Sequence, residues 1–92
     1  MAISAHFTHR GFTAEKYEEA SRRLDATGLA APTGMLHHFA LDADGEIEVF
    51  DIWESQEALE QFGQDVFIPI LLELGVELQP PTIRPVHNGI HK

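Results

Sequence analysis

The chain contains no cysteine. That excludes disulfide staples and thiolate metal sites. Lysine and arginine are missing altogether between Arg23 and Arg84, a stretch that carries twelve acidic residues from Asp25 to Glu77. With a formal net charge of -9, such a surface repels a phosphate backbone, so nucleic acid is not an expected partner. Anionic membranes are disfavoured for the same reason. No apolar run approaches the roughly 18 residues that a membrane span requires. The start, Met1 to His6, lacks the basic and apolar regions of a signal peptide. Together these absences predict a soluble cytoplasmic protein. No phosphate-binding glycine loop, nucleophile elbow or other cofactor motif is found, so neither a cofactor nor a bound metal is expected.

What is present fits one small domain spanning residues 1–92. A chain of this size buries only about 60–65% of its unfolded surface, so stability relies on close packing or on a partner subunit. Residues 2–8 read as a strand with Ile3, Ala5 and Phe7 on one side. Thr13 is placed to cap a helix, with Phe12 and Tyr17 spaced as a hydrophobic staple. Tyr17, Ala20, Ser21 and Leu24 make its stripe, Glu18–Arg22 and Glu19–Arg23 are favourable pairs, and Gly28 ends it. After a loop over residues 29–34, "MLHHFAL", "DADG" and "EIEVFDIW" form a hairpin, its turn marked by Asp44-Gly45. Ser55 caps a second helix that Pro69 should kink or divide near Ile68 and Gly75 should end. A last strand runs through "TIRPVH". Pro85 cannot donate to a ladder, which places this strand at a sheet edge.

The order β-α-β-β-α-β predicts an α+β, ferredoxin-like fold: a four-stranded antiparallel sheet, order 4-1-3-2, with two helices on one face. A sheet covered on one side should alternate apolar and polar residues. The hairpin does not: Ile47 and Val49 oppose Phe50 and Ile52, and Met35 and Phe39 oppose Leu36 and Ala40. Both faces are therefore apolar, and a second copy packed sheet to sheet is the expected cover, giving a homodimer.

With the pieces "DIWES", "QEALEQF" and "PVHN" in this order, the chain resembles the dimeric α+β barrel superfamily. It is most similar in style to the antibiotic-biosynthesis-monooxygenase-like branch and small uncharacterised proteins allied with it. The resemblance spans essentially the whole chain and implies a dimeric barrel. Members include cofactor-free monooxygenases acting on polyphenolic ketides, haem-degrading enzymes, isomerases and proteins with no known reaction. The haem-degrading members ligate iron through a histidine of the second helix. Residues 55–74 contain none, which argues against haem. The monooxygenases' catalytic residues do not carry over position by position.

The candidate site comes from the residues themselves. A three-residue hairpin loop sets His37 opposite Asp51; a loop of two or four sets Leu41 opposite Glu46 and His38 one diagonal step from Asp51. In either register one histidine shares a face with Asp51 and Trp53. The carboxylate then fixes the tautomer of a general base, and the indole offers a flat wall to an aromatic ligand. His37 or His38 with Asp51 are the candidate catalytic residues; Trp53, Tyr17, His87 and Asn88 are candidate substrate contacts. His6 and His87 fall on neighbouring strands, but no spacing matches a metal motif. His9 and His91 read as loop and tail residues. Two functions fit: a small-molecule enzyme, as a cofactor-independent monooxygenase or proton-transfer enzyme on an aromatic or polyketide-like substrate, or a non-catalytic dimeric module for a small hydrophobic ligand.

Overall fold

The helix and strand boundaries follow local chemistry closely. In the computed structural model, which describes residues 1–28 and 32–89, β1 is Ile3–Phe7, α1 Ala14–Thr27, β2 Met35–Ala43 and β3 Glu46–Trp53. The second helical region comprises α2 Gln56–Phe62, a π turn Gly63–Phe67 and α3 Ile68–Glu73, and β4 is Thr82–Pro85. Residues 29–31 of the expected loop and His91 of the expected tail lie outside the described residues. The Thr13 hydroxyl accepts the Lys16 N–H at 3.3 Å, and the Phe12 and Tyr17 rings meet at 5.8 Å, completing the staple. Glu19 binds both Arg22, at 2.7 Å, and Arg23, at 3.1 Å. Arg22 thus takes the residue three back in place of Glu18.

The sheet is antiparallel throughout, in the order β2-β3-β1-β4. This is the expected order read from the other edge, with the Pro85 strand outermost. The hairpin takes the two-residue loop, one of the expected lengths, and puts His38 on the Asp51 face, but with Ala43 rather than Leu41 opposite Glu46. Asp44 (φ 54°) and Gly45 (φ 96°) both occupy the positive-φ region, as a two-residue type I′ turn requires. Ala43 therefore faces Glu46, and His38 lies directly opposite Asp51. Farther along, Met35 pairs with Trp53 while His37 pairs with Ile52, leaving Leu36 as an extra residue in a bulge. The bulge turns Met35 to the helix-covered face, where it packs with Ile3 and Trp53. Met35 and Phe39, expected on one face, are therefore on opposite ones.

Ser55 accepts the Ala58 N–H at 3.1 Å and starts α2. Pro69 has no N–H to give the carbonyl of Asp65, and the chain answers with one wider turn. Ile68 N–H instead bonds the Gly63 carbonyl five residues back. Two apolar clusters lie between sheet and helices. One centres on Phe12, Val49 and Leu71, the other on Ile3, Ala5 and Trp53.

Gly34 joins the α1–β2 loop to the start of α2. Its carbonyl accepts the Glu54 N–H at 2.8 Å, its φ is +95°, and a Cβ there would lie 2.8 Å from that of Ala58. Gly34→Ala should therefore cost about 1–3 kcal/mol in denaturant unfolding. An unchanged midpoint would mean that the loop yields freely.

Candidate functional site

One carboxylate collects the site. Asp51, in the middle of β3, is buried at 4% exposure. Its neighbours are set by the pleat. His38 stands across the ladder on β2, and Trp53 is two residues on along the same face. Asp51 Oδ1 lies 2.6 Å from His38 Nδ1, and Oδ2 accepts the Trp53 Nε1–H at 3.2 Å. An ionised carboxylate can only accept, so His38 Nδ1 carries a proton. In the neutral ring Nε2 then holds the lone pair, and it lies 2.7 Å from the Tyr17 hydroxyl, which donates to it. The order of donation is Tyr17 to His38 to Asp51, with Trp53 steadying the far oxygen.

This chain of groups opens on a cavity of about 840 Å³ between the sheet and the helices. Its walls are mainly apolar and come from both clusters, including Val49 and Leu71 from one, Trp53 and Leu59 from the other. The π turn supplies Gly63, Gln64 and Phe67 to the lining. Trp53 is fully buried, its ring 5.6 Å from that of Phe62, so its indole N–H is committed to Asp51 and its body closes the cavity wall.

The seven candidate residues divide cleanly. His38, Asp51, Trp53 and Tyr17 converge on the cavity. His37 turns to the opposite face of the sheet, where its ring stacks near Phe39 at 6.5 Å. His87 and Asn88 are exposed and stand outside the cavity lining. They follow the last ladder pair, Ile3 with Pro85, and Val86 N–H binds the Ala2 carbonyl at 2.9 Å. The chain has by then passed the end of the sheet that carries Asp51. His6 is also on the outer face, 2.9 Å from Glu48.

The site includes a residue that sequence reasoning placed in a loop. His9 is 6% exposed, lies between the Phe7 and Phe12 rings, and lines the cavity. Its Nδ1 accepts the Gln79 N–H at 2.9 Å, so in the neutral ring the proton sits on Nε2. Only the apolar flanks in "HFTHRGF" signalled burial. Burial holds the His9 imidazole below its ordinary value of 6.5. For Tyr17, burial pushes the phenol above its ordinary value of 10.0. A Ser21 hydrogen bond opposes this, and the Glu18 and Asp51 charges add to it.

The sequence matches no protein-family model and no curated protein. In three dimensions the chain is similar to SnoaB, a cofactor-independent oxygenase from Streptomyces nogalater, with a TM-score of 0.60 over 99% of this chain and 96% of that one, at 19% identity. The chain has the fold of SnoaB. It is also similar to NE2512, a protein of unknown function from Nitrosomonas europaea, with TM-score 0.57, 16% identity, and 99% and 90% of the two chains covered. Rv0793 from Mycobacterium tuberculosis gives 0.53 at 20% identity over 97% of each chain. The architecture shared with these structures is the ferredoxin-like α+β fold that the element order predicts. Among the described residues, no helix is long and apolar enough to cross a membrane.

His9 makes the fold sensitive to acid. Its folded-state value is depressed, so the unfolded chain binds more protons between that value and about 6.5. Stability is thus fully present above about pH 6.5 and declines as the pH falls toward the folded value. His9→Asn keeps an acceptor near Gln79 but cannot titrate. Its melting temperature should fall less than that of the parent protein between about pH 7.5 and 5.5. Parallel curves would remove His9 as the cause.

Proposed function

We propose that the protein is a cofactor-independent enzyme that abstracts a proton from an aromatic, polyketide-like substrate, in its fullest form a monooxygenase. The reading rests on one observation: a His38–Asp51 pair, oriented by Trp53, opens into a largely apolar cavity. An apolar cavity of that size accommodates a polycyclic ligand. The imidazole lone pair is where the abstracted proton comes to rest, and Asp51 holds its tautomer and balances the imidazolium that forms.

In the oxygenation, the base removes a proton from the phenolic ring system, leaving a carbanion. The carbanion carbon gives its electron pair to dioxygen, forming a C–O bond as a hydroperoxide. Loss of water leaves a carbonyl, so a CH₂ group and O₂ yield C=O and H₂O. The apolar walls suit both the aromatic rings and dioxygen. The likeness to SnoaB agrees with this reading at the level of fold.

We propose further that the active form is a homodimer joined through the outer sheet face. Phe39 and Phe50 pair across the strands on that face and are 56% and 37% exposed, with Leu41 and Leu36 exposed beside them. A contiguous apolar patch on one side of a small sheet is self-complementary about a two-fold axis. Phe39→Glu places a charge in that seam. In native mass spectrometry it should convert dimer to monomer; a monomeric parent protein would end the proposal.

Oxygen uptake with a panel of hydroxylated anthracenones and naphthols tests the chemistry. A substrate should show saturable uptake without added metal or flavin, and Asp51→Asn should lower the rate by about 10²-fold or more. Tight binding with no uptake and no proton exchange would assign a non-catalytic ligand-binding module instead.

A further inference from the structure

An imidazole nitrogen has a single in-plane lone pair, and that of His38 Nε2 is already occupied. The Tyr17 oxygen lies 2.7 Å away, with the two rings inclined at only 3°. A substrate atom cannot reach the same lone pair while Tyr17 stays in place. Tyr17 is not free to swing aside. It projects from α1, and its ring is held against Phe12, itself 1% exposed. Tyr17 lines the cavity together with Ser21, one turn on. A phenol oxygen that donates one hydrogen bond still has two lone pairs. A lone pair therefore remains for a ligand.

From this geometry, and resting on the proposed reading of the cavity as a proton-transfer site, we infer that Tyr17 is the catalytic residue that receives the substrate proton, and that His38 acts only through it. As a C–H or O–H proton passes to the Tyr17 oxygen, the phenol proton passes to His38 Nε2. The product state is a neutral Tyr17 and an imidazolium paired with Asp51. No atom or electron is left unaccounted for, and no phenolate needs to exist beforehand. His38 and Asp51 are positioning residues in this scheme: they set the direction of proton flow. The arrangement selects substrates whose acidic hydrogen lies at the edge of a flat ring system, where it can meet the phenol oxygen while the rings fill the apolar cavity.

The test needs no knowledge of the natural substrate. 5-Nitrobenzisoxazole is a flat apolar carbon acid. Removal of its ring C–H proton forms the nitrile and breaks the N–O bond, releasing a coloured nitrophenolate. The parent protein should open it with saturation. Tyr17→Phe keeps the ring against Phe12 and should lower the rate about 10²-fold, with the melting temperature confirming the fold. His38→Ala should lose activity and regain it with added imidazole, a rescue that a purely structural role would not allow. The opposite response of Tyr17→Phe, an unchanged or faster reaction because Nε2 is now exposed, would overturn the inference while leaving His38 as the direct base. Absence of saturable opening in the parent protein, or a His38→Ala variant as fast as the parent, would overturn the proton-transfer reading and this inference with it. Because Tyr17 is the chain's one tyrosine, replacement by 3-fluorotyrosine during expression gives an independent check. The ring-opening rate should change only if the phenol lies on the proton's path.

Discussion

The site depends on a buried carboxylate that is fully engaged. Taking Asp51 out of water is costly unless its oxygens find donors, and they find two from different directions. The Trp53 indole approaches along the strand and the His38 imidazole across it. The same two bonds therefore lower the cost of burial and fix the plane of the imidazole. Removing either donor leaves an acceptor unsatisfied in an apolar interior, and that loss exceeds the net worth of the bond itself. Stability and candidate chemistry are joined at this carboxylate.

The cavity above it is a product of the second helix's interruption. An unbroken helix would present one straight stripe to the sheet. Pro69 prevents that, and the π turn before it swings Gly63, Gln64 and Phe67 along the cavity. A wider turn carries an extra residue per repeat, which moves side chains around the helix axis. Apolar volume between two packed layers is otherwise filled. Here the layers are held by Phe12, Leu71 and Trp53, fully buried side chains around the space rather than in it.

Much of this was legible in the sequence, for physical reasons that can be named. The caps at Thr13 and Ser55 depend on neighbours a few residues away. So do the Phe12–Tyr17 staple, the break at Pro69 and the edge position of Pro85. Element order and the two-sided hairpin carried the topology. The hairpin register was beyond reach, because "DADG" accommodates several loop lengths and the alternation of side chains is apolar on both faces. Without a polar face to fix the parity, His37 and His38 could not be told apart. The bulge at Leu36 has no local marker at all. His9 looked like a loop residue because its burial comes from the loop around Gln79, seventy residues away. The Tyr17–His38 bond likewise joins a helix to a strand that the sequence keeps apart.

The adjacent histidines give the β2–β3 pairing a tolerance of its own. A slip of one residue along a pleated strand turns every side chain to the other face. A slip that set Asp42 opposite Glu46 would withdraw His38 from Asp51 and bring His37 to the same place. The strand thus carries a spare imidazole one step away, and in either register a histidine meets the buried carboxylate.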